Sequence, residues 1–518
     1  MEIFKGVLTG RYDEDIKRLD GILRTEDSFD LIKRDLHIAD TRMVMYYIDG
    51  FIKAESMQKF LMHLLSVKEF GDGTPGAAEA FAAKNVPAVE VDSTDSVDTL
   101  VLSVLSGCTI WLCEGFGPKA LIIDMRTYPA RNTEEPENDK VMRGSRDGFV
   151  ETLIFNTAML RRRIRDPQLT IRYLNVGTLS RTDVALCYMA DRADLNYINA
   201  LAAKLEGLQA DSLVMGHQSL AESLIRQKWY NPFPKIRTTE RPDAAAATIL
   251  EGGVILLCDN SPEAMVFPTS IFDFLQETDD YYFPPLTGTY LRVLRHGIFW
   301  LTMILTPLWY LLLLHEYALP EWLLFVIPKN PGELPIIVQL FLTEFALDGL
   351  KLASLNTPNV LSNSLSVVGG LLLGDFAVTV GWLSPDVILY MSFVAIANFT
   401  QSSYELGYAF KYLRMIILLL TALFDIWGFL AGILLALVLV ATNKNENGKR
   451  HYLYPLIPFD GKAMARLLFR LKKRIGPTHL SSTGGLCSGR TGSALRTGVF
   501  CCRLLHFREC RSIIYHRL

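Results

Sequence analysis

The strongest constraint on this chain is a set of four long segments with almost no charged residues. Residues 298–314 and 387–404 contain no Asp, Glu, Lys or Arg, while residues 361–383 and 415–442 contain one acid each. A helix needs roughly 20 apolar residues to cross the hydrocarbon core of a bilayer. Buried helices of a large soluble protein are the alternative, but four such segments so close together favour a membrane domain with four spanning helices.

A fifth apolar segment, residues 334–350, differs because polar residues interrupt its second half. Glu344, Asp348 and Lys351 lie within about 60° of one another when residues advance by about 100° along a helix. Such a stripe avoids lipid, so we expect an amphipathic or re-entrant helix that is enclosed by other helices, borders water or lies at the membrane surface. The two carboxylates then either line a path for cations or belong to an internal brace in which Lys351 neutralises one acid.

Two isolated acids lie inside the apolar segments. Asp375 and Asp425 are each the only charged residue of their segment. A charge is costly in lipid, so such residues are functional candidates unless they lie near a helix end within reach of water. We therefore add Asp375 to Glu344 and Asp348 as a candidate for an ion path.

Positive charges flank the apolar region on both sides. Arg292 and Arg295 precede it. Nine basic residues follow it, namely Lys444, Lys449, Arg450, Lys462, Arg466, Arg470, Lys472, Lys473 and Arg474. Because Lys and Arg accumulate on the cytoplasmic side, both ends are predicted to be cytoplasmic, with an even number of crossings that leaves 334–350 as the segment that does not cross. Residues 1–10 also lack the apolar stretch of a signal peptide.

Residues 1–290 have the charge density of a soluble region, and a polar stretch at 126–140 divides them in two. Residues 1–70 are predicted to be helical, although Leu31, Ile32 and Leu36 keep only part of a helical repeat. A helix at 94–106 and a hairpin of strands at 109–113 and 120–124 follow. The second part alternates helices and strands, at 149–165, 170–176, 184–189, 195–208 and 254–258.

This pattern predicts two soluble α/β or α+β subdomains at 1–130 and 131–290 and an α-helical polytopic membrane domain at 291–442. A basic cytoplasmic segment at 443–476 and an atypical tail at 477–518 follow. The tail holds four of the eight Cys, six Arg and one acid. Such a composition suggests a disordered, frame-shifted or read-through end, with a Cys/Arg metal or membrane-docking role as the alternative.

Catalytic and nucleic-acid-binding functions find little support. The chain has 52 basic and 55 acidic residues and a formal net charge of −3, which argues against nucleic-acid binding through bulk positive charge. Walker A, HExxH and GxSxG motifs do not occur, and the nine His show no ligand spacing. The eight Cys form no CxxC pair, which is typical of a reducing interior. We predict a protein that is not an enzyme and needs no metal or other cofactor.

Two arginine-rich stretches of the second subdomain are candidate interface or anion sites. RGSRDGFVE contains Arg143 and Arg146, and MLRRRIRD contains Arg161, Arg162 and Arg163. Adjacent guanidinium groups on a helix cannot all point one way, so at least two are expected to pair with local carboxylates, for which the candidates are Asp147, Glu151 and Asp166. The alternatives are an anion site, a membrane-surface patch or a subunit interface on one hand, and a solvated ion-paired helix face on the other.

Several longer motifs resemble one protein family. RGSRDGFVE, MLRRRIRD, YNPFP, TERPDAAA, EGGVILLCDNSP, LNTPN, LSPDVILYMS and NFTQSSYELG are similar to the A-subunit family of bacterial spore germinant receptors. The first of these, together with YNPFP and TERPD, resembles most the stage V sporulation protein AF branch of that family. The resemblance covers roughly residues 10–475, and the tail departs from it.

The resemblance implies a two-part cytoplasmic domain and a polytopic domain in the inner spore membrane. It implies homo-oligomers that form a gated, ion-conducting complex, with membrane lipid and other germination membrane proteins as partners and no nucleic acid. It carries over no catalytic residues. The alternatives are a non-conducting scaffold that clusters germination receptors and, less favoured because the membrane part shows no paired repeat, a secondary transporter.

Overall fold

The computed structural model describes residues 4, 6–88, 90–128, 139–208, 210, 212–225, 228–356, 369–401, 403–443 and 452–469. The predictions made for the tail at 477–518, for part of the apolar segment 361–383 and for most of the basic residues after 443 lie outside these residues. The described residues all belong to one compact unit, Met1–Gly484.

The first subdomain is a five-stranded antiparallel sheet with helices on both faces. Its elements are α1 (Tyr12–Leu23), β1 (Leu31–Ile38), β2 (Thr41–Ile48), α2 (Ala54–Leu64), α3 (Ala77–Asn85), β3 (Val91–Thr94), α4 (Val97–Leu105), β4 (Thr109–Cys113) and β5 (Ala120–Ile123). The strand order is β1-β2-β4-β5-β3. One core cluster joins α1 and α4 to the sheet, and another joins α2 and α3 to it.

The helical prediction for residues 1–70 is wrong over 31–48, where β1 and β2 form a hairpin with Ile38 opposite Thr41. The two turn residues, Ala39 and Asp40, have φ of 49° and 61°, as a tight hairpin turn requires. The strands at 109–113 and 120–124 are confirmed. The helix predicted at 94–106 begins at Val97, because the Ser96 side chain caps it by accepting from the Thr99 backbone N–H.

The second subdomain is again a five-stranded antiparallel sheet. Its elements are α5 (Leu153–Arg163), β6 (Leu169–Val176), β7 (Thr182–Met189), α6 (Leu195–Glu206), α7 (His217–Leu224), β8 (Arg237–Thr239), α8 (Pro242–Leu250), β9 (Val254–Cys258) and β10 (Ala264–Phe267). The strand order is β6-β7-β9-β10-β8. The helices and strands predicted here are confirmed, with ends that differ by a few residues.

The two subdomains repeat one topology. Each has a helix, a hairpin of two eight-residue strands, two helices, a short edge strand, a helix and a second hairpin. The faces correspond as well, since α5 and α8 pack on one side of the second sheet and α6 and α7 on the other. The predicted two-part fold is confirmed, and its antiparallel pairing selects the α+β form.

The remaining secondary-structure elements of the described chain are all helices. It comprises α9 (Asp279–Tyr282), α10 (Pro285–Leu314), α11 (Ile336–Leu355), a π-helical segment (Leu371–Phe376) that runs into α12 (Ala377–Thr379), α13 (Pro385–Phe399), α14 (Tyr404–Thr442) and α15 (Gly461–Leu468). Two of these, α10 and α14, are long and apolar enough to cross a membrane, and the shorter α13 is also apolar. The number of crossings stays a prediction.

Helix α14 reverses direction at Asp425. This residue has φ 56° and ψ −135°, which are not helical angles. A Cβ atom built on Gly432 would lie 3.0 Å from the Cα of Ile417, although residues 15 apart in a straight helix are separated by roughly 22 Å. The apolar segment 415–442, predicted as one spanning helix, therefore belongs to a hairpin with arms 404–424 and 426–442.

Candidate functional site: an ion-pair network between apolar helices

The polar stripe predicted on α11 faces two basic residues of α14. Glu344 and Asp348 lie four residues apart on α11, and Lys411 and Arg414 lie three apart on the first arm of α14. These spacings place side chains on one helical face. Two acids of one helix therefore meet two bases of another.

The contacts form one connected network. Arg414 Nη2 lies 2.5 Å from Glu344 Oε1, and Lys411 Nζ lies 3.3 Å from the same oxygen. Lys411 also pairs with Asp348. Arg414 Nη1 donates to the carbonyl oxygen of Thr302 on α10 at 3.2 Å. The network thus ties α10, α11 and α14 together at mid-length.

Burial differs from one end of the network to the other. Glu344 and Lys411 are each 6% exposed and Arg414 is 2% exposed, whereas the Asp348 side chain keeps 36% of its accessible surface. Removing one partner of a buried pair costs about 3–5 kcal/mol, because the other charge is left uncompensated. The Glu344 end therefore holds the helices in place, and an ion outside the chain can reach only the Asp348 end.

Lys351 forms no ion pair with Glu344 or Asp348, although Asp348 is near enough to act on its charge. Its Nζ lies 4.7 Å from the ring centroids of both Tyr404 and Tyr408, a cation–π arrangement. Lys411 and Arg414 supply the positive charges instead. These two bases were missed because the last apolar segment was taken to begin directly after them, at residue 415. Their spacing of three residues, on a helix that Ser403 caps, could have indicated that they share one face.

The two isolated acids lie elsewhere. Asp375 is exposed in the π-helical segment, and among the described residues it makes no contact with Glu344 or Asp348. Asp425 lies at the tip of the α14 hairpin, where its Oδ1 is 2.9 Å from Nε2 of His315, the C-cap residue that directly follows α10. Asp425 therefore lies near helix ends, which was the alternative to a functional role for an isolated acid.

Charges at the start of α10 are buried in ion pairs. Asp280, which is fully buried, accepts from Arg292 at 3.2 Å and from Arg295 at 2.9 Å. Arg295 also pairs with Glu277 at 2.6 Å, and Arg292 donates to the Leu467 carbonyl oxygen in α15. The two arginines that were counted as flanking charge therefore join α9, α10 and α15.

A cavity of about 670 Å³ opens beside this junction. Its lining comes from the second subdomain, from the segment before α10 and from the chain around α15, and it includes Arg237, Asp243, Asp273, Tyr281 and Tyr454. Burial raises the pKa of Asp273, and the nearby Arg237 opposes that shift. The cavity borders both the soluble region and the first apolar helix.

Arg161, one of the interface candidates, clamps the two subdomains together. It is fully buried, and its Nε and Nη2 donate to the Oδ2 and Oδ1 of Asp30 at 2.7 Å and 3.0 Å. Nη2 also donates to Ser28 Oγ, and the carbonyl oxygens of Asp166 and Leu169 accept further bonds. Asp30 belongs to the first subdomain and was not among the predicted local partners.

The other candidate arginines have separate roles. Arg163 pairs with Asp147 at 2.5 Å, as predicted, and this partner lowers the pKa of Asp147 against the effect of its burial. The Arg162 guanidinium lies 4.3 Å from the Tyr128 ring centroid, and that of Arg143 lies 6.0 Å from the ring of Phe283. Arg146 is exposed. The structure does not gather these arginines into one anion site.

Comparison with known proteins gives concordant results. The family model described as "Bacillus/Clostridium GerA spore germination protein" matches residues 18–476. Stage V sporulation protein AF of Bacillus subtilis (strain 168) is 38% identical over 447 residues, which cover 86% of this chain and 90% of that protein. Spore germination protein KA of the same organism is 28% identical over 451 residues, covering 86% and 82%.

A solved structure is also similar. The crystal structure of the N-terminal domain of the A subunit of the Bacillus megaterium spore germinant receptor GerK3 covers 51% of this chain and 97% of its own, with 23% identity and a TM-score of 0.40. The family match extends from α1 past α15 and spans both subdomains and the apolar helices. The chain belongs to the GerA family of spore germination proteins.

Proposed function

We propose that this protein is a multi-pass membrane protein of spore germination whose copies assemble around a gated cation path. It acts without catalysing a reaction and without a cofactor. Its place is the inner spore membrane, with both termini in the cytoplasm, and its partners are lipid, further copies of itself and other germination membrane proteins.

The apolar surface of the helices supports the membrane location. Large apolar side chains such as Phe345, Leu389, Ile396, Leu423 and Leu434 are 62–78% exposed on α11, α13 and α14. So many large apolar side chains exposed on three helices are unusual for a soluble monomer. If both arms of α14 cross, the four predicted spans become five, and an even number of crossings then needs α11 to cross as well.

The observation that carries the proposal is the network of Glu344, Asp348, Lys411 and Arg414 between apolar helices. Ionisable groups inside a membrane domain are costly, and ion pathways are one of the functions that they commonly mark. Asp348 is the member with an accessible oxygen-bearing side chain, and a carboxylate there favours cations. Lys411 bridges it to Glu344, so release of Lys411 exposes a negative charge to the path.

Two substitutions with opposite effects test this function. In liposomes that contain the purified protein, Asp348→Asn leaves a surplus positive charge and we expect cation flux to fall. Lys411→Met leaves Asp348 without its base, and we expect flux to rise. Glu321→Gln changes an exposed carboxylate outside the network and serves as the control, with flux equal to that of the unmodified protein.

A specific observation favours a second candidate, a non-conducting scaffold that clusters germination receptors. The network contains two acids and two bases, so it is balanced, as a purely structural brace would be. For a scaffold, flux stays at the level of protein-free liposomes in all three variants. Equal cation flux for Asp348→Asn and Lys411→Met would mean that no cation path passes this network.

A further inference from the structure

The loop between α7 and β8 exposes an aromatic pair. Trp229 is 95% exposed, the largest value among the large hydrophobic side chains in the described part of the chain, and Tyr230 is 51% exposed. Their ring centroids are 6.1 Å apart in an edge-to-face arrangement, and Lys228 Nζ lies 5.5 Å from the Tyr230 centroid. Tryptophan carries a large apolar area, so this exposure indicates a partner outside the chain.

The loop is fixed to the helices directly behind this pair. Asn231 Nδ2 donates to the Leu439 carbonyl oxygen of α14 at 3.3 Å, and its Oδ1 accepts from the Phe233 backbone N–H. Phe233 is fully buried and packs edge-on against Phe410, and Tyr452 donates to the Pro234 carbonyl oxygen. Two residues of chain span at most about 7 Å, so Trp229 stays close to Leu439.

Leu439 lies where the apolar surface of α14 ends. On the same arm, Leu434, Leu437 and Val438 are 62%, 56% and 47% exposed, and the helix stops at Thr442. The aromatic pair thus continues the exposed apolar face at its boundary with the second subdomain. Trp and Tyr concentrate at that depth of a membrane, where the ring meets the acyl chains and its polar end meets the headgroups, while a lysine faces anionic lipid.

We propose that residues 228–230 form an interfacial anchor that holds the second subdomain on the cytoplasmic surface of the bilayer, with anionic phospholipid as the occupant. This inference rests on the membrane location proposed above for α10 and α14. The anchor makes the second subdomain follow movements of the second arm of α14, because both are held at the same point.

Tryptophan emission with brominated lipids tests the anchor in the full-length protein. Bromine quenches emission on contact, and the contribution of one tryptophan is the difference between the unmodified protein and its Trp→Phe variant. In vesicles of anionic phospholipid brominated near the headgroup end of the acyl chains, we expect the Trp229 contribution, measured by difference with Trp229→Phe, to fall clearly below its value in unbrominated lipid. Lipid brominated at mid-chain should remove less of it.

Two further variants separate the possible failures. Trp111 is fully buried in the first subdomain, so its contribution stays unquenched. Trp427 is 76% exposed beside the tip of α14, so its contribution is quenched if that helix lies in lipid. If Trp427 is quenched and Trp229 is not, the anchor is overturned while the membrane location stands. Contact of Trp229 with a second copy of the chain would give this result. Absence of quenching at both positions overturns the membrane location as well.

Discussion

The clamp at Arg161 gives the most quantitative expectation for a single side chain. Arg161→Met leaves the fully buried Asp30 carboxyl without its base, with only the Ser28 hydroxyl as a remaining side-chain partner. Breaking a buried pair of this kind costs about 3–5 kcal/mol. Since about 1.4 kcal/mol corresponds to a factor of ten, the equilibrium for opening the subdomain junction should rise at least about a hundredfold.

Amide hydrogen exchange read by mass spectrometry measures that opening directly. Two backbone N–H groups beside the clamp donate across the junction, from Phe29 to the Ile171 carbonyl oxygen and from Ile171 to Ser28 Oγ, both at 3.0 Å. In Arg161→Met, peptides that cover these amides should lose about two orders of magnitude in protection, while the centre of each sheet changes less.

Arg162→Met is the matched control, because Arg162 is the next residue and lies on the Tyr128 ring at the surface. Arg162→Met should change the free energy of opening the junction by less than about 1 kcal/mol. Replacing both buried partners in Asp30→Leu/Arg161→Met should restore most of the protection, since no lone charge remains. Equal loss in the Arg161 and Arg162 variants, or unchanged protection in Arg161→Met, would refute the clamp.

Three other expectations follow from single residues. Asp425→Gly should stabilise the protein by about 1 kcal/mol in thermal unfolding, because relief of the positive φ outweighs an exposed pair with His315, whereas His315→Gln should not stabilise it. Burial raises the pKa of Cys113 and of Cys258 to about 12, so peptide mapping should find both unmodified after iodoacetamide treatment of the folded protein at pH 8 and modified after unfolding. Burial raises the pKa of Asp273 in the folded state, so the contribution of Asp273 to stability is full below about pH 4 and is lost as the pH rises through the raised pKa. Asp273→Asn should remove that loss of stability in unfolding curves measured against pH, and an unchanged pH profile would contradict the expectation.

Sequence reasoning succeeded where local pattern decides structure. In the second subdomain two helices and three strands were predicted, because their apolar patterns are long enough to read locally. The short elements α7, β8 and β10 were not predicted, since three to eight residues carry too little of a repeat. The first hairpin was missed because its turn, Ala39-Asp40, lacks the glycine that marks most such turns. The reversal at Asp425 was missed for the same reason, since neither Gly nor Pro stands at the turn position.

The candidate site was predicted in part. The helical spacing of Glu344 and Asp348 correctly placed both on one face, because that depends only on residues of one helix. Their partners lie more than 60 residues away, at Lys411 and Arg414, and the partner of Arg161 lies 131 residues earlier, at Asp30. Such pairings depend on how elements pack, and no local spacing encodes them.

If copies of the chain surround a cation path, a cryo-electron-microscopy map of the detergent-purified full-length protein shows it most directly. We predict a closed ring with a central opening through the apolar helices, in which the exposed side of Asp348 faces the axis. A monomer, or a ring in which Asp348 faces the surrounding detergent, would contradict the proposed path.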